Sequence, residues 1–195
     1  MFHSPNDLSP ATKLGMFGCF DQRAKRVIFF ASCEARLNRA EAIQPEHLLA
    51  GLTREDPLLF STLTLRHAEL ANDVRYKLLG RPKAKPLAEK ENEPMTPQRL
   101  LEFVKELGDY KLPLSTLSQN IARFANRERE RFGHDGVTTQ LLLRSLLICG
   151  DGRSKWSRLN LLRRPTACEL LATYGVTASA VETKFREDAS GSTPS

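Results

Sequence analysis

Two stretches of this 195-residue chain, 24–52 and 118–146, are versions of one segment, offset by 94 positions without a gap. Phe30-Ala31 matches Phe124-Ala125, Glu34 matches Glu128, Ile43 matches Val137, and Leu48-Leu49-x-x-Leu52 matches Leu142-Leu143-x-x-Leu146. Only six of the 29 pairs are identical, yet the apolar positions keep register through a helix, a turn and a second helix. A unit that recurs in this way implies two similar halves packed into one module.

The local signals are helical throughout. Asp21 is a good N-cap, and Phe20 before it is placed to pack on the first turns. Ala24, Val27, Ile28, Ala31 and Ala35 then form a buried helical stripe. Gln44-Pro45-Glu46-His47 opens a second helix, with Pro at the first position and an acid in the first turn; Leu48, Leu49 and Leu52 are its inward residues. Pro57 to Leu65 is expected as a third helix, and Leu70, Val74 and Leu78 mark a fourth. Arg81 to Pro97 holds four prolines among charges and reads as an exposed linker. Gln98 to Lys111 has the apolar residues for one extra helix. The second unit starts near Leu114-Ser115, with Ser115 as the matching cap, and closes with helices around Ala167–Thr173 and Ala178–Phe185. There is no strand-like alternation, so the class is all-α. The expected division is an N-terminal extension (1–15), a first unit (16–80), a linker with the extra helix (81–113), a second unit (114–187) carrying a basic insertion (149–166), and a polar tail (188–195).

Composition excludes several function classes. With 41% hydrophobic and 27% charged residues the chain is of ordinary globular type. No run approaches the roughly 18 apolar residues that span a bilayer, so no membrane partner is expected. The opening residues lack a basic stretch followed by an apolar one, so a secretory signal is not expected and the cytoplasm is the default. Cys19, Cys33, Cys149 and Cys168 form no C-x-x-C pair, and His3, His47, His67 and His134 have no metal-ligand spacing. These cysteines read as small, partly buried thiols of a reducing compartment. No Gly-Lys pair exists in the chain, so a phosphate-binding loop for ATP is absent, and no residues suggest nucleophilic catalysis. The expectation is a non-enzyme without cofactor.

A family resemblance rests on two motifs. Met16-Phe17-Gly18-Cys19-Phe20-Asp21-Gln22-Arg23-Ala24 resembles the opening of the Clp N-terminal domain, with Glu34-Ala35 at the expected place near the end of the first helix. Ile43-Gln44-Pro45-Glu46-His47-Leu48-Leu49-x-Gly51-Leu52 is similar to that family's second-helix motif. In the second unit Gly133-His134 matches, and Val137-Thr138-Thr139-Gln140-Leu141-Leu142 is a worn copy. The resemblance implies a duplicated four-helix repeat with pseudo-twofold symmetry. It also implies a free-standing relative of domains that, in front of AAA+ unfoldases, receive substrates and adaptors. On that basis the chain is a protein-binding module of the Clp protease/chaperone system, acting as adaptor, modulator or substrate-recognition accessory. Its partner would be a Clp-family ATPase, peptidase, adaptor or substrate protein.

Two places are candidate sites. In some family members the Glu matching Glu46 lies in a pocket that recognises phosphorylated arginine, so the resemblance makes Glu46 and His47 candidates. The plainer reading is a first-turn acid that favours the helix dipole, with His47 bonding locally. Pro45 lacks the N–H and hydroxyl that a Thr would offer there. Gln140 replaces the acid in the second unit, so two equivalent pockets are not expected. The second place is the insertion, where Arg153, Trp156, Arg158, Arg163 and Arg164 could form a contact surface, since Trp and Arg are enriched at interfaces and also stack on nucleobases. The plainer reading is a surface loop whose Trp covers the core. The net charge of +6 permits nucleic acid without demanding it. A nucleic-acid-associated regulatory protein using this insertion is the alternative function.

Overall fold

The computed structural model describes residues 17–80, 112–149 and 166–190, with side chains as far as Lys184. Helix α1 (Gln22–Leu37) starts where Asp21 Oδ1 accepts the Ala24 N–H at 2.6 Å. Helix α2 (Pro45–Glu55) begins on its proline. Helix α3 (Pro57–Leu63) is capped by buried Asp56, which accepts from Leu59 N at 3.1 Å. Helix α4 (His67–Asp73) runs on into a π-helical turn, Val74–Leu78. The second unit repeats the pattern with α5 (Thr116–Phe132), capped by Ser115, and α6 (Thr139–Cys149), where Leu141 N donates to Thr138 Oγ1. Helices α7 (Ala167–Thr173) and α8 (Ala178–Ser190) complete it. Among the described residues there is no strand, and the all-α expectation holds.

Three boundaries differ from the sequence reading. Helix α3 stops at Leu63 instead of Leu65, because Thr64 takes an extended conformation and accepts the Arg66 N–H on Oγ1; Leu65 is left 99% exposed. The fourth helix ends in a π turn, although Leu70, Val74 and Leu78 are buried as their spacing requires. Helix α8 extends past Phe185 to Ser190 and takes in the first residues of the supposed tail. The linker and its extra helix over 98–111 lie outside the described residues.

The duplication is written into the backbone between the units. Val137 N–H donates to Cys19 O (2.8 Å) and Asp21 N–H to Val137 O (3.1 Å). Ninety-four positions apart, with the roles of the units exchanged, Ile43 N–H donates to Pro113 O (2.8 Å) and Ser115 N–H to Ile43 O (3.0 Å). The two isolated bridges, Phe20 with Val137 and Ile43 with Leu114, map onto each other by the same offset. This exchange is what an approximate twofold between the units produces. A single apolar core runs across both, with Val27, Leu49, Leu52 and Leu70 from one side and Ile121, Leu141, Leu146 and Leu171 from the other. Each side chain of this size contributes about 1.5–3 kcal/mol on full burial.

Polar contacts add to the join. Thr139 Oγ1 donates to Asp56 Oδ2 at 2.6 Å in a buried contact, and Arg23 reaches the same carboxylate at 3.6 Å. Tyr174 donates to Asp73 Oδ2 at 2.7 Å, and burial with that carboxylate pushes its hydroxyl up to about 12. Within the second unit Arg144 is buried between Glu128 of α5 and Glu182 of α8. In the first unit Glu34 is buried at the place of Glu128, but Ala50 stands where Arg144 would be. The four cysteines are all outside disulfides, and Cys33 is buried, which raises its thiol to about 11.

Candidate functional site

Four helix ends meet here: the end of α1, the start of α2, the end of the π turn and the start of α7. Gln44 has the extended backbone of a helix cap, and Pro45 at the first helical position supplies no N–H. Glu46 and His47 follow in the first turn and point to different surroundings. His47 is 5% exposed; its Nδ1 accepts the Gln44 N–H at 3.0 Å. In the neutral ring the proton therefore sits on Nε2, which lies 3.4 Å from Asn38 Nδ2; turning that amide end for end brings its oxygen into place to accept the Nε2–H. Glu46 is half-buried. Burial pushes its carboxyl above the usual range, and a bond from its own backbone N–H acts in the opposite direction with less effect. The helix N-terminus favours the ionised form, but desolvation outweighs it.

These residues line a cavity of about 460 Å³, together with Asn38 from the end of α1, Leu78 and Leu79 from the end of the π turn, and Thr166. Thr166 comes from the second unit, where it caps α7 and is held by Glu169 through its backbone N–H (2.8 Å). Among the described residues the lining offers one carboxylate, two amides, an imidazole, a hydroxyl and two leucines, and no Lys or Arg. Such a wall suits a donor-rich, cationic side chain of a polypeptide; an anionic group finds no opposite charge among its described residues.

Glu46 and His47, singled out from sequence, are thus brought together in one cavity. Gln140 is not among its lining residues and sits half-buried in the first turn of α6. Around it the second unit has diverged: by the 94-residue offset, Phe132 stands for Asn38 and Leu141 for His47. The candidates Arg153, Trp156, Arg158, Arg163 and Arg164 lie outside the described residues. Sequence reasoning missed Asn38, Leu78, Leu79 and Thr166 as site residues. Thr166 carried a usable signal, since Thr166-x-x-Glu169 is a capping box. The leucines read as core, and nothing local marked Asn38. No group of three residues able to hold a metal ion occurs among the described residues.

The chain matches no family model and no curated protein. Its likeness is to solved structures. One is the N-terminal domain of the caseinolytic-protease-associated chaperone ClpD of Arabidopsis thaliana, with 19% identity and a TM-score of 0.55 over 87% of this chain and 96% of that one. Another comes from structural investigations of a malarial protein secretion system, with 14% identity and a TM-score of 0.58 over 88% and 95% of the two chains. At these identities the likeness speaks to the fold. The chain has the fold of a Clp N-terminal domain.

Proposed function

We infer that this chain is a protein-binding module of a Clp protease/chaperone system, serving as adaptor, modulator or substrate-recognition accessory. The observation that carries the reading is the Glu46–His47 cavity, placed where the two units of a Clp N-domain fold meet and lined for a cationic or donor-rich side chain. The partner is a Clp-family ATPase, peptidase, adaptor or substrate protein. Recognition needs no covalent step: a partner's side chain enters between Glu46 and Leu78–Leu79, its donors meet the carboxylate and the Asn38 and Gln44 amides, and its stem covers the leucines.

The test is direct capture. Purified protein is presented with the Clp ATPase, the peptidase and candidate adaptors of its own cell, one at a time, and with DNA and RNA over a range of salt. Saturable binding of a Clp component that Glu46→Ala weakens supports the reading. Retention on nucleic acid that falls steeply with salt, with no Clp component bound, overturns it in favour of the nucleic-acid alternative.

A further inference from the structure

Arg123, Arg127 and Arg131 recur every four residues along α5, and all three are exposed. One helical turn, roughly 6 Å, separates each from the next. The nearby acids are mostly committed elsewhere. Glu128 is buried against Arg144, with Arg131 3.6 Å from its other oxygen, and Glu130 faces Arg129 at 3.1 Å. Among the described residues no carboxylate lies within ion-pair distance of Arg123 or Arg127. The Arg127 guanidinium instead lies 6.0 Å from the ring of half-buried Phe124. Arg131 lies 5.5 Å from the ring of Phe132, which is 44% exposed.

The duplication supplies an internal control. At the matching places of α1 stand Phe29, Cys33 and Leu37, so the repeated helix forms without a cation at any of the three. Like charges one turn apart disfavour a helix, and Arg123 and Arg127 are too far from the C-terminus of α5 to serve its dipole. The fold therefore gives no reason for them. Arginine beside aromatic rings is, however, the composition of contact surfaces. Arg127 also lies close enough to Cys149 to act on its thiol, and the residues that follow Cys149 in sequence, 150–165, carry five basic side chains and one acidic.

We propose that the exposed face of α5, centred on Arg123, Phe124 and Arg127, docks an acidic helix of a protein partner whose carboxylates recur at one-turn spacing. Guanidinium forks meet carboxylates two hydrogen bonds at a time, and the Phe124 ring gives the contact an apolar floor. A single-stranded nucleic acid fits less well, because successive bases need open ring faces to stack on and Phe124 is half-buried. This face shares no residue with the Glu46 cavity.

The probe is a fluorescein-labelled, alanine-rich helical peptide with Glu at every fourth position, followed by anisotropy against the full-length protein; the same peptide with Gln is the control. Arg123→Ala/Arg127→Ala is expected to weaken the Glu peptide about ten-fold or more with the circular-dichroism spectrum unchanged. The charge reversal Arg123→Glu/Arg127→Glu should transfer preference to a Lys-bearing counterpart. The proposal is overturned if the Glu peptide does not saturate, or if it binds the alanine variant as it binds the parent. It is equally overturned if a 20-residue thymidine strand binds more tightly than the peptide and loses that affinity in the same variant.

Discussion

Gly51 shows how one residue sets the spacing of two helices. A Cβ added there would clash with the backbone oxygen of Val27, so α1 and α2 touch backbone to backbone at this point. Its counterpart Ser145 is buried and donates to Leu141 O, so the second pair of helices has room for a side chain. Gly51→Ala is expected to cost about 1–3 kcal/mol by overpacking, more than Ser145→Ala, as read from urea midpoints. Arg39 is the opposite case. It holds φ +54°, where its counterpart Gly133 holds +68°. Arg39→Gly should stabilise the fold by about 0.5–1 kcal/mol, because glycine enters the left-handed region without a Cβ penalty. For Glu46 the sign follows from its raised carboxyl. The folded state binds the proton more tightly, so the stabilising effect of protonation is present below the ordinary 4.5 and is lost as pH rises through the raised value. Ionised Glu46 thus burdens the fold at neutral pH. Glu46→Gln should raise the melting temperature at pH 7, and the gain should vanish near pH 4. At this scale Glu46 and His47 were legible because they sit in one motif. Asn38 and Thr166 were not, since only folding brings positions so distant in sequence to one wall.

Among the helices, the buried Arg144 ties α5, α6 and α8 together through Glu128 and Glu182. Removing Arg144 leaves buried Glu128 with only the exposed Arg131, 3.6 Å away, as its counter-charge. Arg144→Met is therefore expected to cost about 3–5 kcal/mol, whereas Glu128→Leu with Arg144→Met should restore most of it; a double-mutant cycle in urea measures both. Equal losses in the single and double variants would show that packing, not charge, is what Arg144 supplies. The sequence pattern located these helices well where apolar spacing was regular, as in α1, α5 and α7. It overran at Leu65, because the apolar run from Leu58 continues to that leucine while Thr64 turns the chain. The π turn has no apolar signature of its own, since Val74 and Leu78 suit either helix type. The basic insertion with Trp156 lies outside the described residues. It stands as a proposal that Trp156→Ala weakens partner capture with the melting temperature nearly intact.

Across the whole molecule, the exchanged hydrogen bonds of Ile43 and Val137 make each unit complete only with the other. Unfolding should accordingly be one cooperative transition by calorimetry, and two resolved transitions would show units that stand alone. The duplication was legible in the ungapped offset, and with it the fold. Its functional asymmetry was legible only at Gln140. The replacement of Asn38 by Phe132 and of His47 by Leu141 gains meaning once the cavity is seen. The central claim is that a duplicated fold retains one receptor cavity, at Glu46. Calorimetric titration of the protein with an arginine peptide and with its phospho-arginine form tests it most directly. The expected result is one site per chain for the arginine peptide, abolished by Glu46→Ala. Phospho-arginine should bind weakly or not at all, because Pro45 offers no N–H and the described lining residues include no Lys or Arg for a phosphate. Two tight, equivalent sites per chain would contradict the account.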